Sequence, residues 1–155
     1  MQRISYFCLL LSRLKTIMIS LLQLIVDTSL FILIWLVQII IYPSFQYTDK
    51  EQFDFWHIRY MKLITYFVGP LMLAQIGVIV YQLFYLFDWI FLSSFICILM
   101  VWLSTAILSI PCHTSLQKSG FNLITIEKLI LTNWYRTILW SIVFLIDIWI
   151  FFIFT

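Results

Sequence analysis

Four long runs rich in Leu, Ile, Phe and Val, parted by short polar segments, leave this chain one workable solvent. Hydrophobic residues fill 64% of its 155 positions and charged ones only 10%, too apolar a surface for a soluble domain of this size to hide. Hydrocarbon accepts that surface but satisfies no backbone hydrogen bond, which restricts spanning elements to helices or a closed barrel. Barrel strands would alternate apolar and polar positions over about ten residues, whereas the runs here are unbroken. The expected fold is all-α: an integral membrane up-down four-helix bundle, one domain over 1–155.

Polar residues and prolines mark the helix limits. The first helix is expected over 17–42, following Arg3, Arg13 and Lys15 and ending at Pro43, which cannot continue the ladder. Ahead of it, the apolar stretch 6–11 lacks a small-residue cleavage site and reads as an interfacial or helical extension. After the polar segment 44–51 comes a second helix over 52–87, with a kink at Gly69-Pro70. A link of a few residues around Asp88 makes the third helix, 89–110, an antiparallel neighbour that breaks near Pro111. Residues 113–124 read as a second polar loop. Thr125 then caps a fourth helix over 126–154, with Glu127 in its first turn.

Charge and cysteine usage exclude several classes. The net charge of +2 is scattered, so no nucleic-acid partner is expected. Cys8, Cys97 and Cys112 have no framework or C-x-x-C spacing and read as small apolar filler. Nucleophile-elbow, phosphate-loop, dinucleotide-binding and H-E-x-x-H motifs are absent, so soluble-type catalysis has no support. Trp56, Tyr60, Tyr85, Trp89, Trp134 and Tyr135 fall near helix ends, as an interfacial belt would. Arg3, Arg13 and Lys15 mark one face against Lys50, Arg59, Lys62, Lys118, Lys128 and Arg136 on the other, and the positive-inside rule puts the second face in the cytoplasm.

An even, alternating traverse brings the end of the first helix, the start of the second, the end of the third and the start of the fourth to one side. His57, Tyr60, His113, Asn133 and Arg136 gather there, and an ionisable side chain in lipid needs a partner. Asn133, Arg136, Thr137 and Trp140 follow i, i+3, i+4, i+7 spacing and form a polar stripe on an apolar helix. Arg136 has two readings: a counter-charge or bound anion below the headgroups, or a snorkelling stem holding lipid phosphate. On the second helix Asp54, His57 and Met61 share a face, which would let Asp54 orient His57.

His57 and His113 are the chain's two histidines and suffice in number for haem ligation, with Arg136 for a propionate. They suffice equally for half a metal site completed by Asp54, Cys112 or Glu127. A polar pocket for a small amphipathic ligand, such as a lipid or quinone headgroup, needs fewer assumptions. Asp27 and Asp147 lie deep in the opposite half, roughly 22 to 25 Å from the site-side helix ends. The favoured expectation is hydration at the far interface; the alternative is that they meet and share a proton.

The order Tyr42-Pro43-x-Phe45, Phe55-x-His57-x-x-Tyr60, Pro111-x-His113-x-x-Leu116-x-x-x-Gly120 and Asn133-Trp134-x-Arg136-Thr137-x-x-Trp140 resembles a group of small bacterial four-helix membrane proteins. The likeness spans about 30–140. It implies the same architecture and a multi-pass protein of a bacterial inner membrane, and it carries no established activity. More distantly, the chain is similar to the anthrone-oxygenase-like membrane proteins.

Three functional expectations follow. The first is a pocket at one membrane face that binds a small ligand or cofactor through His57, Tyr60, His113, Asn133, Arg136 and Trp140. The second is a subunit of a larger membrane complex, its polar groups only fixing helix packing at about 0.6 to 2 kcal/mol per bond. The third is a small transporter acting as a homo-oligomer, which needs a path from the site to Asp27 and Asp147.

Overall fold

The computed structural model describes residues 2–154, with side chains for 10–152 apart from residue 12. The side chains of Arg3 and Cys8 lie outside that range. Four helices long and apolar enough to cross a membrane fill it, and the connections are confined to 48–52, 86–88 and 120–122. With strands absent among the described residues, the chain is an all-α bundle of the kind expected.

Helix α1 runs over Gln2–Leu36, loosens into a π-helical turn at Val37–Ile41, resumes over Tyr42–Ser44 and closes in a 3-10 turn at Phe45–Tyr47. The stretch 6–11 is therefore a helical extension. Helix α2 spans Phe53–Tyr85 and stays α-helical through Gly69-Pro70. Helix α3 starts at Trp89, capped by Asp88, whose carboxylate accepts from the Ile90 N–H at 2.9 Å. It continues to Ser104, widens into a second π turn at Thr105–Ser109 and runs on over Ile110–Ser119. Helix α4 covers Leu123–Phe154, and its first turn is held by Asn122 Oδ1, which accepts from the Thr125 N–H at 3.0 Å. The capping residue is thus Asn122, three positions before the expected Thr125.

Two expected helix ends are corrected by the π turns. Each starts six residues ahead of a proline, at Val37 before Pro43 and at Thr105 before Pro111. A proline lacks its N–H and crowds the carbonyl four residues back. Inserting one residue into the turn absorbs that conflict, with the Tyr42 N–H reaching Val37 O and the Ile110 N–H reaching Thr105 O. The helices therefore continue, and Tyr42 and His113 sit on helices with His113 no longer in a loop.

The four helices pack in a square, each against its two neighbours. Gln38, His57, Gln75, His113, Asn133 and Asp147 are buried, while Ile25, Ile39, Leu73, Ile107, Leu131 and Leu145 are exposed. This inversion suits a bundle whose outside meets hydrocarbon, where helices associate through packing and internal hydrogen bonds. Two apolar clusters hold the halves. One, around Leu30, Phe45, Phe53, Leu116 and Leu129, carries the His57 end; the other, around Ile79, Phe91, Ile98, Val143 and Ile150, carries the opposite end.

Candidate functional site

Six buried side chains form one hydrogen-bonded file across the bundle. Gln38 Nε2 donates to Ile130 O at 3.3 Å, and its Oε1 accepts from Asn133 Nδ2 at 2.7 Å and from Thr137 Oγ1 at 3.4 Å. Asn133 Oδ1 accepts from Arg136 Nη2, which also donates to the Tyr42 hydroxyl at 3.1 Å. Tyr42 then meets His113 Nε2 at 3.0 Å, and His113 Nδ1 meets His57 Nε2 at 3.0 Å.

Arginine has no acceptor, which gives the file a direction. Tyr42 accepts from Arg136, so its own proton goes to His113 Nε2. With both imidazoles neutral, His113 Nδ1–H donates to His57 Nε2, and the file ends at the buried Nδ1–H of His57, which has no partner.

An aromatic plug covers this file on the side of the 48–52 and 120–122 connections. Phe45, fully buried, sets its ring edge-on to Phe53, Trp56, His57 and Tyr60, and Phe53 stacks on His57 at 5.3 Å with Phe121 edge-on behind it. Lys50 Nζ stands 5.4 Å from the Phe121 ring centre, at the outer edge of the plug. Gly120 closes the turn at φ +73°, and any Cβ there would lie 2.8 Å from Asp54 Oδ1. Asp54 thus packs on the Gly120 turn and is exposed, so the expected orienting contact with His57 is not made, while its charge still acts on the imidazole. The partner of His57 is His113.

Behind the file lies a cavity of about 260 Å³. Tyr42, Tyr60, His113 and Arg136 form its polar end, Leu33, Val37, Ile64, Val68 and Met72 its walls, and Trp140 its floor. Tyr60 accordingly faces inward, where an interfacial belt position was expected. Thr65 and Ile110, on facing edges of α2 and α3, line the cavity and are themselves exposed on the bundle surface. Helix α2 packs against Trp89–Ser104 and Ile110–Ser119 but hardly against the π turn between them, so a gap opens sideways at that level. The cavity thus has a side portal between Thr65 and Ile110, beside the π turn.

The floor leads to the second polar centre. Trp140 Nε1 donates to Gln75 Oε1 at 3.3 Å, and Gln75 Nε2 donates to Asp27, which accepts from Gln23 as well. Asp147 lies near Asp27 and Gln23, and neither of its oxygens makes a hydrogen bond of normal geometry. Asp27 is 1% and Asp147 3% exposed, so the expected hydration at the far interface is not found.

Of the expected site residues, His57, His113, Asn133 and Arg136 join the file, while Tyr60 and Trp140 line the cavity without joining it. Both ring nitrogens of His113 are already engaged, and the two imidazoles hydrogen-bond to each other, which does not suit ligation of a haem or metal between them. Among the described residues there is no group of three or more His, Cys, Asp or Glu placed to hold a metal ion. Cys112 packs in the apolar core as filler. Reasoning on the sequence passed over Gln23, Gln38 and Gln75. The signal for them is an amide within an apolar helix, spaced four residues from Asp27 in the case of Gln23 and seven from Gln82 in the case of Gln75. Comparison with protein-family models, with curated protein sequences and with solved structures finds no match, which leaves the geometry of these residues as the basis for a functional reading.

Proposed function

We propose that this multi-pass membrane protein binds an amphipathic molecule that it takes from the bilayer. The observation that carries the reading is the cavity itself, polar at the Tyr42, Tyr60, His113 and Arg136 end, apolar along its walls and open sideways between α2 and α3. Small-molecule sites have this make-up, mostly apolar with a few convergent polar groups. The aromatic plug supports access from lipid, since it separates the polar end from the water beyond the 48–52 connection. The head of such a ligand would meet Arg136 and the Tyr60 hydroxyl, which makes no hydrogen bond among the described residues, and its tail would lie along Val68 and Met72 towards Trp140.

Gly69 supplies a test. It lines the cavity, and a Cβ there would meet only the Thr65 methyl, at 3.9 Å, so a side chain is accepted without a backbone clash. Wild-type protein released from lipid nanodiscs in a native mass spectrometer should carry a bound small molecule, and Gly69→Phe should lose it while keeping its helical content by circular dichroism. Equal adducts on both proteins, or none on either, would show that the cavity is not a ligand site.

A further inference from the structure

Arg136 is 7% exposed and held inside the bundle, with Nη2 fixed by Asn133 and Tyr42. That anchoring rules out snorkelling, because the head points into the core and not to a lipid phosphate. Among the described residues, Nε has no partner, Nη1 makes no hydrogen bond, and no carboxylate pairs with the guanidinium. Asp147, the buried acid on the same helix, is eleven residues away, about 16 Å along α4 by helical rise. Glu127 and Asp54 are on the surface. A buried charge in this setting needs an opposite charge, and the chain does not provide one.

Building on the amphiphile reading above, we infer that the natural occupant is a single-chain amphiphile with an anionic head, either a fatty carboxylate or a phosphorylated chain. The guanidinium supplies the opposite charge and planar N–H donors suited to both heads, and Tyr60 supplies a further donor. A cationic head would face Arg136 with no acid on the cavity wall to favour it. A neutral head would leave the guanidinium uncompensated. The volume of about 260 Å³ sits just under the range of roughly 300 to 1,000 Å³ for small-molecule sites, enough for one chain and a compact head but not for a two-chain phospholipid. The portal lined by Thr65 and Ile110 admits one chain sideways.

Four probes of equal chain length test this: dodecanoate, dodecyl phosphate, dodecanol and dodecyltrimethylammonium, added to the protein in nanodiscs of a zwitterionic two-chain lipid, with thermal unfolding as the readout. Dodecanoate or dodecyl phosphate should raise the melting temperature, and whichever does so more strongly names the source of the anion. Dodecanol and dodecyltrimethylammonium should leave it unchanged. Arg136→Gln should weaken the anion's binding by roughly tenfold or more, Arg136→Lys should retain part of it, and Gly69→Phe should abolish it. Should Arg136→Gln fail to fold, the Lys and Phe variants still decide the outcome. Stabilisation by dodecanol equal to that by dodecanoate, and indifferent to Arg136→Lys, would overturn the anionic head while leaving the amphiphile reading intact. Absence of any shift from all four probes overturns the inference, and if Gly69→Phe also leaves the native adduct unchanged, the amphiphile reading falls with it.

Discussion

The two buried polar centres of this bundle carry opposite surpluses. Near the connection-rich end, donors exceed acceptors: among the described residues, Arg136 Nε and His57 Nδ1 are buried without a partner. Around Asp27 in the far half, acceptors exceed donors: Asp27 takes the Gln23 and Gln75 amides and neither Asp147 oxygen has a hydrogen-bond partner, while the buried Gln82 amide farther along α2 has none either. The first centre borders a cavity that opens sideways between α2 and α3, and the second is enclosed by its own side chains. A surplus beside a cavity can be met by a ligand. A surplus in a closed core has to be met by the core's own groups, here the Gln23 and Gln75 amides, and this difference in surroundings distinguishes the two centres.

The largest expected effect falls on the plug. Phe45→Ala removes a fully buried ring that touches five aromatic side chains and should cost about 3–5 kcal/mol. Amide exchange around His57 should rise with it as water gains access. Denaturant unfolding and mass-detected hydrogen exchange measure the two, and protected amides in the variant would mean that the plug does not keep water from the file.

Within the far centre the two acids should behave unequally. Asp27→Leu strands the Gln23 and Gln75 amide donors and should lower stability by about 2–4 kcal/mol. In the near centre, Tyr42→Phe deletes the hydroxyl that joins Arg136 to His113 and should cost about 1–2 kcal/mol. The smallest effect belongs to Asp147→Asn. Its new N–H can donate to Asp27 where no donor stood before, so the change should fall within about 0.5 kcal/mol of neutral or stabilise the fold. Thermal unfolding of the three variants side by side tests the contrast. If Asp147→Asn proved as damaging as Asp27→Leu, the acceptor surplus assigned to that centre would be wrong.

Much of the architecture was legible in the chain because its signals are large. Helix-length apolar runs and an Asp88 turn dictate four antiparallel crossings, and the alternation alone brings His57, His113 and Arg136 to one side. The i, i+3, i+4, i+7 stripe on α4 correctly picked residues that all turn inward. The errors have local causes. Pro43 and Pro111 read as stops, since a proline forbids one hydrogen bond; whether the helix breaks or widens depends on the packing on both sides of the turn. Asp54 looked like the partner of His57 from spacing on one helix, while a nearer imidazole arrives on another. Asp27 and Asp147 were placed by depth at similar levels, but depth says nothing about which way a side chain faces.

Composition and periodicity by themselves determined the solvent, the number of crossings and the side to which the polar residues return, because each of these follows from hydrophobic transfer energy summed over twenty or more residues. The tertiary structure decided which polar groups touch. The link from His57 to His113 joins positions 56 residues apart, and the link from Arg136 to Tyr42 joins positions 94 apart. Such contacts depend on helix rotation and on two widened turns, quantities set by side-chain packing between neighbours that no single stretch of sequence contains.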